Sequence, residues 1–312
     1  MSLREKIARK EFVVCAELGP PQSCDAAVIR KKAGCFKGIV DAVNITDNQT
    51  AIVRLSSIAA GRILLEEGVE PIMQMTCRDR NRIAIQSDLL GAAALGIENL
   101  LCLTGDHQRF GDHPEARGVF DLDSIQLIAA VRQMNEGLLL SGQALKKSPD
   151  FLIGAAANPF AEPLEMRLIR LEKKVHSGAA FIQTQPVFDL GQFSRWLDQL
   201  RRRGLHERTA LLAGVLPVKS VKALEYMARE VPGMRIDPGY LARMRAAAVP
   251  LEEGVAIAVE LIHTLRQMEG VAGIHLMPVM WESITPRIVR EAGLLPAQTT
   301  GSACESRSDG EN

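Results

Sequence analysis

Apolar runs that each close on a polar residue recur along this chain. Val13-Val-Cys-Ala-Glu17, Ala42-Val-Asn-Ile-Thr46, Pro71-Ile-Met-Gln-Met-Thr76, Asn99-Leu-Leu-Cys-Leu-Thr-Gly-Asp106 and Phe181-Ile-Gln-Thr-Gln185 share this form. Short, nearly continuous apolar runs of this kind predict buried parallel strands. Between them the apolar period changes to that of a helix, as in Ile52, Leu55, Ile58, Ala59, Ile63 and Leu64. Strands are predicted over 11–17, 41–46, 71–77, 99–105, 151–158, 181–187, 210–216 and 273–279. Helices are predicted over 51–67, 82–95, 163–176, 190–203, 221–229, 251–268 and 284–293. Two more open after the capping candidates Asp25 and Asp123 or Ser124. Residues 232–248 read as an extra helical insertion before the last strand.

Eight strands alternating with helices predict an α/β fold of the (β/α)8 barrel type. An open doubly wound sheet would normally carry Gly-x-Gly-x-x-Gly after its first strand. That turn is absent, as is a GxxxxGK[ST] phosphate loop. The barrel is expected to be one catalytic domain over 1–296, followed by a small, polar, disordered tail over 297–312.

Composition narrows the class. Of 312 residues 47% are hydrophobic, enough for a large core, and one barrel of this length is ordinary. Lys+Arg and Asp+Glu both number 37, so no basic face points to nucleic acid or to a membrane surface. Cys15, Cys77 and Cys102 lie in or at the end of apolar runs and read as reduced, buried thiols. Met1-Ser-Leu-Arg-Glu-Lys6 lacks an apolar targeting region, and no run is long enough to span a bilayer. A cytoplasmic protein is expected.

A barrel collects its chemistry at the carboxyl ends of its strands. There the sequence offers Glu17, Thr46, Gln74, Thr76, Asp106, Asn158 and Gln185. Two carboxylates among amides and hydroxyls suit proton transfer to a bound polar ring, and no nucleophile–base pair stands out. Glu17 precedes the rigid Gly19-Pro-Pro21, and Asp106 follows Gly105 at the start of a long polar loop, 106–118. Long loops within compact domains are usually functional. His107 and His113 sit beside Asp106 and Asp112 but have no third fixed ligand, so a solvated loop is expected and no metal. Lys173 and Lys174 form either an exposed helix face or a reach toward phosphate.

At these residues the sequence resembles the methylenetetrahydrofolate reductase family over about residues 10–295. The matching stretches are Ala16-Glu-Leu-Gly-Pro-Pro21, Val43-Asn-Ile-Thr46, Met75-Thr-Cys77, Leu103-Thr-Gly-Asp106, Leu171-Glu-Lys-Lys-Val-His-Ser-Gly-Ala179, Gln183-Thr-Gln-Pro-Val-Phe-Asp189 and Gly214-Val-Leu-Pro217. Each is weak alone, and their joint order is specific. The resemblance implies a flavoprotein barrel that reduces 5,10-methylenetetrahydrofolate to 5-methyltetrahydrofolate through bound FAD. By the same resemblance Glu17 is the general acid that opens the folate ring to a 5-iminium cation. Asp106 lies near flavin and pterin, and Gln185 hydrogen-bonds substrate. Thr46, Gln74, Thr104, Gly105, Asp106, Asn158 and Lys174 are implied at the cofactor.

Some positions depart from the family pattern. Gln74 stands where many members carry a flavin-contacting histidine, and Arg167 where an aspartate often touches the ribose. Ala223 and Met227 replace a glutamine and a phenylalanine that help hold nicotinamide cofactor or folate. The resemblance therefore leaves two electron sources open: NADH or NADPH directly, or a partner subunit of a hetero-oligomeric reductase. A non-catalytic folate- or flavin-binding scaffold is a third reading, disfavoured by the joint presence of Glu17, Asp106 and Gln185. The chain is expected to assemble as an oligomer.

Overall fold

The structure is a computed structural model that describes residues 1–231 and 233–295. Eight strands form a closed barrel in sequence order. They are β1 (Val13–Leu18), β2 (Ala42–Ile45), β3 (Pro71–Thr76), β4 (Asn99–Leu103), β5 (Leu152–Ala157), β6 (Phe181–Pro186), β7 (Ala210–Val215) and β8 (Val271–Leu276). Each pairs in parallel with its successor, and β8 closes on β1 with Cys15 opposite His275. The expected (β/α)8 barrel is thus present. β8 begins two residues earlier and ends three earlier than the sequence pattern indicated.

Inward side chains alternate along each strand. Cys15, Ala42, Ile72, Leu101, Leu152, Phe181 and Leu212 fill the lower barrel as one apolar layer. The aromatic ring of Phe181 needs a gap opposite. A Cβ at Gly154 would lie 2.1 Å from the ring, so glycine is what admits it. The layer is sealed below by a helix absent from the sequence expectations, Leu3–Ala8, whose Leu3 is fully buried in the same cluster. Ser2 and Glu5 close a reciprocal capping box that starts this short helix.

Two residues further along the strands the inward layer turns polar: Glu17, Asn44, Gln74, Gln183 and His275. Outside the sheet, a second and larger apolar cluster joins the outward strand residues to the helices, with Ile29, Leu64, Leu89, Leu127, Leu168 and Trp196 among its members. The barrel is therefore dry below, polar above and open at its carboxyl-terminal rim.

Local signals explain where helices differ from expectation. The helix expected from residue 51 runs over Ser57–Glu66 because Ser56 Oγ accepts from Ala59 N and sets its start. The residues before it fold back instead, with Asn48, Thr50 and Ala51 at positive φ. The insertion is a helix over Pro238–Ala246, started by Asp237, whose side chain accepts from Gly239 N, with Pro238 in the first turn. Pro232 and the expected tail over 297–312 lie outside the described residues. Cys15, Cys77 and Cys102 are free and buried, as expected. Among the described residues no helix is long and apolar enough to cross a membrane.

Candidate active site

The polar layer opens upward into a cleft of about 410 Å³. Glu17, Gln74, Thr76, Thr104, Gly105, Asp106, Lys174 and Gln185 all line it, so eight of the ten sequence-derived site residues meet in one place. Thr46 and Asn158 do not. The Thr46 hydroxyl is buried without a partner among the described residues. Asn158 lines a neighbouring cleft of about 490 Å³ together with Gly233 and Arg235. Its Oδ1 accepts from Phe160 N at 2.9 Å, which occupies the side chain in its own turn. Arg167 borders both clefts.

Glu17 stands at the end of β1 with its side chain 13% exposed. Two groups converge on its Oε2: Gln74 Nε2 donates at 3.4 Å, and His275 Nε2 lies at 3.5 Å. Asn44 Nδ2 lies 3.2 Å from the other ring nitrogen, Nδ1 of His275. The carboxyl is thus met from two strands other than its own, β3 and β8, and His275 is itself met from β2.

Asp106 lies at the mouth, exposed, on the loop after β4. Its Oδ2 accepts from Thr50 N at 3.2 Å. Arg78 ties this corner together from below. Its guanidinium is bound to Asp79 at 2.8 and 2.7 Å and donates to the carbonyls of Asp106 at 3.3 Å and Asn48 at 3.1 Å. Gly105 enables the turn, with φ +95° and space that a Cβ would close at 3.0 Å from Arg78 Cβ. The Thr104 hydroxyl accepts from Ser124 N at 3.2 Å and so braces the start of the following helix. Beneath, Asp47 is a buried carboxylate held by Thr76 N at 2.9 Å, Thr76 Oγ1 at 3.0 Å and Arg80 at 2.7 Å.

The opposite wall is basic. Lys174, on the helix Leu164–Ser177, donates Nζ to Ala156 O at 2.6 Å, and Arg167 and Arg170 flank it. Burial, aided by Arg170, pushes the Lys174 ammonium down to about 8. A wall of three cations suits a phosphate or diphosphate. Gln185 is exposed at the rim. Gln183, one inward step below it, is 3% exposed, lines the cleft, and has no partner for either Oε1 or Nε2 among the described residues. Buried amides without partners are rare and call for a ligand or a water.

Among the residues of this site not singled out from the sequence are His275, Gln183, Arg78 and Asp47. For His275 and Gln183 the available signal was a polar side chain inside an apolar run, in step with inward neighbours. Asp47 and Arg78 lie just beyond strand ends, where no periodicity marks them.

Chemically, the cleft joins a fixed carboxyl at its floor, a second carboxylate at its mouth, a basic wall and an unpaired amide. It can donate a proton to a ring, stabilise a developing cation, and hold a phosphate-bearing cofactor.

Comparison with known proteins agrees with this inventory. The chain is 24% identical over 235 residues to methylenetetrahydrofolate reductase 1 of Schizosaccharomyces pombe, covering 73% of this chain and 36% of that protein. It is 25% identical over 238 residues to the 5,10-methylenetetrahydrofolate reductase of Salmonella typhimurium, covering 73% and 72% respectively. The chain thus spans little more than a third of the length of the first of these relatives. Among solved structures, an uncharacterised protein from Clostridium thermocellum that binds two copies of 5-methyl-5,6,7,8-tetrahydrofolic acid shares the fold. The TM-score is 0.65 at 15% identity, over 93% of this chain and 97% of that one. A family model described as methylenetetrahydrofolate reductase matches residues 2–293, and the chain belongs to the methylenetetrahydrofolate reductase family.

Proposed function

We propose that this chain reduces 5,10-methylenetetrahydrofolate to 5-methyltetrahydrofolate, with FAD as its bound cofactor and NADH or NADPH as the source of electrons. The observation that carries this reading is Glu17, a carboxyl fixed at the cleft floor by Gln74 and His275 and facing a space large enough for a ring. The family membership and the folate-binding neighbour of the same fold support it.

The residues present fit a flavin dinucleotide. Arg167, Arg170 and Lys174 offer charge for a diphosphate, and the unpaired Gln183 amide offers a donor and an acceptor to a ring edge. When bound, reduced flavin supplies the hydride. Glu17 donates a proton to a ring nitrogen of the folate, which opens the ring to the 5-iminium cation. Asp106 places a negative charge near that cation, worth most where water is excluded. Gln185 hydrogen-bonds the pterin at the rim.

An absorbance spectrum of the freshly purified protein, followed by anaerobic titration with NADH and NADPH, tests this. Flavin bands that bleach on adding either nucleotide and recover with methylenetetrahydrofolate are expected. Bleaching by dithionite only, with recovery on the folate, would replace the nicotinamide donor by an electron-delivering partner subunit. Absence of flavin even after reconstitution with FAD would favour a folate-binding scaffold.

A further inference from the structure

His275 has a placement more specific than packing requires. Its imidazole is 3% exposed on β8, between Asn44 of β2 and Glu17 of β1. As the structure orients the Asn44 amide, its NH2 faces the ring and its Oδ1 is left without a partner among the described residues; an amide NH2 can only donate, so in this arrangement Nδ1 of His275 accepts. The ring proton of the neutral imidazole then sits on Nε2, the atom that faces Glu17 Oε2. Gln74 Nε2 donates to that same oxygen. Both contacts to Glu17 therefore fall on one carboxyl oxygen. The distances of 3.4 and 3.5 Å are long, as is common before a ligand closes a site.

We propose that His275 is a positioning residue. As the Nε2–H tautomer set by Asn44, it joins Gln74 in holding Oε2 of Glu17, so that the acid's proton resides on Oε1 and faces the cleft. This role rests on the assignment of Glu17 as the acid. On transfer, the Oε1–H bond breaks and an N–H bond forms on the substrate. The carboxylate left behind gains charge, and the two N–H donors strengthen toward it. Solvent then returns the proton to Oε1. A histidine protonated on both nitrogens would hold Glu17 as a standing carboxylate and oppose its use as an acid; a neutral ring does not.

The tautomer is directly measurable in the full-length protein without added ligands. Imidazole 15N spectra at neutral pH, with His275 assigned by its loss in His275→Gln, are expected to show a pyridine-type Nδ1 and a pyrrole-type Nε2. A pyrrole-type Nδ1, or a ring protonated on both nitrogens, would overturn the proposal. Turnover supplies a second readout. His275→Leu is expected to lower kcat roughly ten- to hundredfold while KM for the folate stays near its wild-type value, the range expected for losing one charge-assisted hydrogen bond. His275→Gln retains an N–H and is expected to recover most of that loss. Equal losses in both variants, or a change confined to KM, would overturn it as well. Failure of the wild-type chain to reduce the folate with any donor would remove the functional assignment, and the nitrogen spectra would still decide the state of the ring.

Discussion

Replacing Gln183 by leucine separates a ligand-binding amide from a structural one. Both polar atoms of Gln183 are buried and without a protein partner among the described residues, and the residue lines the cleft. An unmade hydrogen bond on a buried amide costs about 1–3 kcal/mol. Leucine has nearly the same volume and no polar atoms, so Gln183→Leu removes that cost from the ligand-free fold. The apo protein is expected to gain about 1–3 kcal/mol, a rise in Tm of roughly 2–6 °C for a domain of this order of size. Binding moves the other way. If a ligand ring pairs with both atoms, two neutral hydrogen bonds are lost. Affinity then falls roughly tenfold to a hundredfold. Thermal unfolding of the apo variant and titration with FAD and with methyltetrahydrofolate measure the two effects separately, and the ligand whose affinity drops is the one that Gln183 touches. A variant that is less stable when empty and binds both ligands as before would refute the reasoning. It would mean that Gln183 is satisfied within the fold and that its amide is part of the barrel's packing.

Three further outcomes follow from the same site. Glu17→Gln keeps the amide contacts of the cleft floor but has no acidic proton, so flavin and folate should still bind while folate reduction falls on the order of 10²–10⁴-fold; steady-state turnover beside flavin titration checks this. Lys174 titrates near 8 because burial disfavours its charge, which fixes two opposite trends. Its folded value lies below that of a free lysine, so the apo fold is penalised while the group is charged. Stability should therefore rise as pH climbs from about 8 toward the free-lysine range, whereas affinity for FAD should fall as the ammonium is lost; both trends should vanish in Lys174→Met. Gly105→Ala places a Cβ about 3.0 Å from Arg78 Cβ and 3.1 Å from Thr76 Cβ at φ +95°, so denaturant unfolding should register a loss of about 1–2 kcal/mol or more, with turnover reduced as Asp106 moves.

The barrel was legible because burial on both faces leaves a parallel strand no freedom of composition. Val13-Val-Cys-Ala and Leu100-Leu-Cys-Leu are apolar whichever way they face, and the polar residue closing each run marks the rim. The same rule hid the polar layer. In a barrel this open at the top, inward positions turn polar before the strand ends, so Asn44, Gln183 and His275 sit inside the apolar runs rather than after them. β8 begins at Val271 rather than at the expected Gly273, and His275 lies inside the run on either boundary, so no polar ending marked it as the inward partner of Glu17. Thr46 and Asn158 illustrate the converse. Each lies one residue past its strand, at the end of β2 and β5, where the alternation of faces no longer dictates direction, and neither reaches the main cleft. Distance in sequence hid the rest. Glu17 and His275 are brought together by closure of β8 onto β1, a pairing that no local pattern encodes. Closure therefore does more than complete the barrel. It brings to the Glu17 carboxyl a neighbour whose other ring nitrogen is met from a third strand, so the proposed acid depends on that last pairing as much as on its own position.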